Sequence, residues 1–172
     1  MSDVPPETTF GRENAPESPP PDAFVGAFAL LMRPEGPDSY LAVRDETELD
    51  EAGLDLIRAV REEGSTYRDS LVAAIGQRLG LDAKRDLVAS GVPRAHLNSR
   101  LCGGGDTPRW YVCEFFEVRL FGKRWRDTLA GRDDFVWLTG HEVMAGGRPG
   151  LPLRRDVAEL LTIAEAIPPD QR

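Results

Sequence analysis

The stretch EEGSTYRDSLVAAIGQRLGL (62–81) sets Ala74, Gln77 and Arg78 at i, i+3 and i+4. On a helix, residues at that spacing share one surface. Leu71, Val72, Ile75 and Leu79 fall on the opposite side. Magnesium takes oxygen ligands and is usually held by carboxylates together with substrate phosphates. This surface offers one methyl group, one amide and one guanidinium. Alanine cannot ligate, and Gln77 supplies a single neutral carbonyl oxygen. A cation at Arg78, about 4 Å from a divalent ion, opposes binding by several kcal/mol at intermediate dielectric. The acids lie around the surface instead of on it: Glu62, Glu63 and Asp69 at the helix start, and Glu142 much later. One such acid can act as a general base, but it cannot assemble a cluster of two or three metals.

Other constellations carry less. His96, Cys102, Cys113 and His141 match no zinc-ligand spacing. The loop CGGGD (102–106) leads through Pro108 into a strand pattern, whereas phosphate-cradling loops open a helix. GKRWRD (122–127) interleaves basic and aromatic residues, but the patch is short, and it reads as a solvated loop or edge strand. Neither histidine sits in a motif that would support a Ser-His-Asp triad.

The elements that must position these residues follow from periodicity. AFVGAFALLMR (23–33) and SYLAVR (39–44) flank the turn chemistry of PEGPD and read as a hairpin. Residues 45–53 form an acidic connection. A helix is predicted over 66–79, capped by Ser65 or Thr66, with Thr66-x-x-Asp69 resembling a capping box and Gly80 at the left-handed end. Strands are predicted at 86–91, 109–121 and 135–138. In the second of these, Trp110, Val112, Phe116, Val118 and Leu120 share one parity, interrupted by Glu114. A second amphipathic helix is predicted over 153–167, with Val157, Leu160, Leu161 and Ala164 inward and Pro168 and Pro169 as its stop. Strands, a helix, more strands and a terminal helix imply an α+β domain with a mixed sheet between helices.

The chain has 172 residues and a net charge of −8, from 21 basic and 29 acidic side chains. This suits one domain and argues against nucleic acid or an anionic membrane as partner. Residues 1–22 hold six prolines and about half of the net charge; they read as a disordered acidic tail ahead of a domain spanning 23–172. No apolar run is long enough to span a membrane, and MSDVPPETTF lacks a secretory layout. Two cysteines imply reduced core thiols in a cytoplasmic protein.

Strand, turn, strand, then a helix closing on Gly80-Leu81 resembles the Nudix hydrolase family, whose box reads GX5EX7REUXEEXGU, with U a bulky aliphatic residue. With the closing Gly-U on Gly80-Leu81, the inner aliphatic position falls on Ile75 and matches. The Gly-Glu pair before the helix falls on Gly64-Ser65, so only the glycine matches. The box Arg-Glu becomes Ala73-Ala74, and the two following glutamates become Gln77 and Arg78. Leu56-Ile57-Arg58-Ala59 sits where the family carries Leu-Pro-Gly-Gly. FVWLTGHEV (135–143) resembles the family's late strand and short helix.

The resemblance implies a Nudix-like mixed sheet sandwiched between helices, and a degenerate box. It implies a catalytically inactive binding or regulatory module with no metal and no catalytic residue. The partner is either a nucleotide-type ligand such as ADP-ribose or a protein. Arg78 is the candidate stand-in for the metal, offering its guanidinium to phosphate, with Gln77, Arg58 and Arg61 beside it. The alternative is an active, magnesium-dependent pyrophosphohydrolase that uses Glu62, Glu63 or Glu142 from outside the box.

Overall fold

The computed structural model describes residues 18–44, 53–101 and 108–172. Most of the acidic tail and of the acidic connection, together with Cys102 and the glycine loop, lie outside the described residues. β1 (Phe24–Met32) and β2 (Ser39–Arg44) form the predicted antiparallel hairpin, with Met32 opposite Tyr40. Two short strands follow, β3 (Leu54–Asp55) and β4 (Arg58–Val60), and then α1 (Tyr67–Leu79). β5 (Leu87–Ala89), β6 (Ala95–Leu101) and the long β7 (Arg109–Leu120) come next. A short helix α2 (Arg124–Leu129), β8 (Phe135–Thr139) and α3 (Gly140–Met144) lead to a small hairpin of β9 (Gly147–Arg148) and β10 (Leu151–Pro152). The chain ends with α4 (Arg155–Ala164) and a 3-10 turn, Pro169–Gln171.

The main sheet has eight strands, with the path β3-β2-β1-β7-β5. β4 adds to β1, β6 to β7 and β8 to β2. β1 and β7 are parallel, and the other pairs are antiparallel, so the sheet is mixed as expected. Both of its faces are covered, which explains the unbroken apolar run of β1. On one face, Phe28, Leu30 and Met32 meet Val157, Leu160 and Leu161 of α4. On the other, Ala27, Ala29 and Leu31 meet Leu71, Ile75 and Leu79 of α1. The small alanines on this second face let the helix lie close. Full burial of each of the three α1 side chains is worth about 1.5–3 kcal/mol.

α1 forms where local signals converge. The Thr66 hydroxyl accepts from the Asp69 N–H at 3.0 Å. Gly80 takes φ 70°, and its N–H closes on the Gly76 carbonyl, the left-handed ending that glycine adopts without strain.

Several expectations need correction. β6 lies where no strand was predicted. GKRWRD is neither loop nor edge strand: it begins α2, and Trp125 and Leu129 are buried against the α1 side. β7 does not keep one inward parity. Tyr111, Cys113 and Phe115 face the α4 core, while Phe116, Val118 and Leu120 face the α1 core. α4 is shorter than 153–167 because Leu153 and Arg154 are extended before it and Glu165 turns left-handed at φ 50° after it.

Candidate functional site

The outer surface of α1 carries Ala74 half-buried and Gln77 and Arg78 exposed, as the helical spacing required. Arg78 does not project freely. One terminal nitrogen donates to the Arg44 carbonyl at 2.9 Å, and another lies 3.9 Å from Asp134 Oδ2. Arg132 completes the clamp. It donates to the Leu79 and Arg78 carbonyls at 2.9 and 3.1 Å and to both Asp134 oxygens at 3.0 and 2.6 Å. The last carbonyls of α1 thus gain cationic donors, as favoured at a helix C-terminus. Hydrogen bonding from Arg132 holds the Asp134 carboxyl below the usual carboxylate range. This surface does not fit a divalent cluster. Among the described residues, no three His, Cys, Asp or Glu side chains converge on a point that would hold a metal ion.

The candidate acids are separated. Glu62 and Glu63 are exposed ahead of α1, where the Glu62 N–H donates to Ser70 Oγ at 3.2 Å. Glu142 caps α3: its Oε2 accepts from the Thr139 N–H at 2.8 Å, and the Thr139 hydroxyl accepts in return from the Glu142 N–H. Arg148 donates to both Glu142 oxygens at 3.0 Å. None of the hydrogen bonds or ion pairs of Glu142 reaches α1. The Arg148 hydrogen bond, then that from Thr139, holds its carboxyl below the ordinary value.

These lowered values fix a pH dependence. A carboxyl depressed in the folded state adds stability that is complete above its unfolded pKa and is lost as pH falls through the folded one. For Glu142 and Asp134 that loss begins near the ordinary carboxylate value of about 4 and continues below it. Denaturant unfolding from pH 7 to pH 2 should therefore show an acid decline. Glu142→Gln, which cannot titrate, should show a shallower one; an identical slope would remove Glu142 from this account.

Arg58 and Arg61 end on opposite sides of the fold. Arg58 donates to both oxygens of buried Asp55 at 2.8 Å and lies 3.5 Å from Asp156 Oδ2. Its guanidinium sits over the rings of Phe28 and Phe24, at 4.8 and 5.5 Å. Asp156 also accepts from the Tyr111 hydroxyl at 2.9 Å and from Arg154 Nε at 3.3 Å. Burial drives the Asp55 carboxyl up, and Arg58 only partly offsets it. Burial also acts on Asp156, but there Arg58 and Arg154 prevail and its carboxyl stays low. Burial and then Asp156 push the Tyr111 phenol up to about 12. This network lies in the α4-side core, away from Gln77 and Arg78.

Arg61 lies on the α1 side. Its guanidinium is 5.2 Å over the Tyr67 ring, and Nε donates to the Ser65 carbonyl at 3.2 Å. It lines a cleft of about 440 Å3 together with Tyr67, Arg68, Pro93, Glu114 and Phe116. A cleft of this size suits a small ligand. Sequence reasoning named Arg61 but not its neighbours, although Glu114, the polar break in the parity of β7, was a visible signal.

The fold as a whole has counterparts in solved structures. RenU from M. smegmatis, described as a Nudix hydrolase, aligns at TM-score 0.51 and 20% identity over 85% of this chain and 90% of its own. A possible asymmetric diadenosine tetraphosphate hydrolase from Jonesia denitrificans aligns at 0.56 and 18%, over 88% and 99%. NrtR from Shewanella oneidensis aligns at 0.57 and 13%, over 82% and 61%. The fold is Nudix-like. At these identities the likeness concerns architecture alone. No protein-family model matches the sequence, and no curated protein does. No helix of the described residues is long and apolar enough to cross a membrane.

Proposed function

We propose that this Nudix-like chain is a binding module for a nucleotide-type ligand and does not hydrolyse it. One observation carries the reading: the outer surface of α1 presents Ala74, Gln77 and an Arg78 already engaged by the Arg44 carbonyl and Asp134. A site that must neutralise a diphosphate through metal needs carboxylates there. The ligand class is supported by the Jonesia denitrificans neighbour, described as acting on diadenosine tetraphosphate. We assign no metal and no catalytic residue.

The test is a phosphate-release screen over ADP-ribose and nucleoside diphosphate derivatives, with magnesium and with manganese, run beside metal-free titration calorimetry. The expected result is binding without turnover. Metal-dependent turnover that disappears in Glu62→Gln or Glu63→Gln would make the chain a hydrolase with acids outside the box.

A further inference from the structure

The cleft beside Arg61 differs from the surroundings of the other two candidate arginines. Arg58 and Arg78 are already paired, the first with two buried aspartates and the second with a carbonyl and Asp134. Arg61 is held only through Nε and through the face of Tyr67. Among the described residues, nothing hydrogen-bonds or ion-pairs with its two terminal nitrogens. A guanidinium fixed at Nε and stacked on a ring presents those nitrogens in a set geometry, the fork that suits a phosphate.

The cleft is also stiffened. Arg68, inside α1, donates to the Ala89 and Ser90 carbonyls at 3.0 to 3.2 Å. That ties the first turn of α1 to the segment carrying Gly91 and Pro93, so both sides of the opening are fixed relative to each other. Preorganisation of this kind lowers the ordering cost of binding.

Glu114 decides what accompanies the phosphate. It lines the same cleft with its side chain 22% exposed, and one oxygen lies 3.6 Å from His96 Nδ1. A carboxylate there repels a bare second anion but accepts from hydroxyls. A phosphate ester that turns its sugar hydroxyls toward Glu114 satisfies both groups, and Tyr67 and Pro93 offer apolar contact to an attached ring.

We propose that this cleft, and not the outer face of α1, seats the ligand: Arg61 takes its phosphate and Glu114 its ribose hydroxyls. This inference rests on the nucleotide-binding reading given above and specifies its site. The full chain is titrated with AMP, ADP-ribose and inorganic phosphate, as wild type and as Arg61→Gln, Glu114→Gln and Arg78→Glu. Arg61→Gln should weaken AMP and ADP-ribose about tenfold or more, the loss of one charge-assisted contact. Glu114→Gln should weaken AMP several-fold while leaving inorganic phosphate no weaker. Arg78→Glu should stay within about twofold of wild type for AMP. Arg61 and Glu114 lie at the surface opening, and melting temperatures confirm that each variant is folded. Unchanged affinity in Arg61→Gln, with a loss in Arg78→Glu, overturns this site and leaves the binding reading standing. A wild type that binds none of the three probes overturns both.

Discussion

Arg58→Ala should destabilise the protein by roughly 3–5 kcal/mol, the range for breaking a buried ion pair and leaving its partner behind. Asp55 and Asp156 are only 8% and 4% exposed in their side chains, and Arg58 sits between them. Arg154 still donates to Asp156 in the variant and acts on Asp55 through its charge, so Asp55, which loses its hydrogen bonds from Arg58, bears most of the damage. Its carboxyl is already raised by burial despite the arginine, and removing Arg58 raises it further. A group whose folded pKa is raised favours the folded state as it takes up its proton, so the deficit of Arg58→Ala should shrink as pH falls from 7 toward 4. Urea unfolding at several pH values measures this directly. Arg58→Met combined with Asp55→Leu should recover much of the loss, because an apolar replacement of a whole buried pair is often neutral. A single variant within 1 kcal/mol of wild type would show that the network is solvated and weak.

Gly26→Val should cost about 3 kcal/mol or more, at or beyond the upper end of ordinary overpacking. A Cβ built at Gly26 would stand 2.0 Å from the Ala59 carbonyl oxygen and 2.9 Å from the Phe24 ring. The clash is with backbone, so no rotamer relieves it. β4 would have to leave β1, and β4 carries Arg58. Even Gly26→Ala should be destabilising, although removing a glycine from a strand interior ordinarily gains about 0.5–1 kcal/mol. That sign is the decisive reading in a thermal or urea midpoint.

What the sequence made legible was local. α1 announces itself because Thr66, Gly80 and the spacing of Leu71, Ile75 and Leu79 all lie within one short window. The β1–β2 hairpin is bounded by its own turn residues. β6 escaped because its inward positions are Ala95, Leu97, Ser99 and Leu101, only half apolar in bulk, although its partner β7 is the next element along the chain. α2 escaped because charges surround Trp125, although Leu129 four residues on marked an inner face. Arg58 was read as a ligand contact because it stands just ahead of the box-like helix in sequence. One of the two aspartates that hold it arrives with α4, near the other end of the chain. The cleft was half legible: Arg61 was visible as a nearby cation, while Glu114 comes from a strand that only the fold brings alongside.

The parallel seam between β1 and β7 has a kinetic consequence. Its register sets Phe24 beside Tyr111 and Met32 beside Arg119, so the chain must close a very long loop before either layer has a floor to rest on. Loop closure of that kind is an entropic debt incurred before any contact repays it. Refolding should therefore be slow for a domain of this length, and the hairpin and α1, although locally encoded, should gain lasting protection from hydrogen exchange only when the seam zips shut.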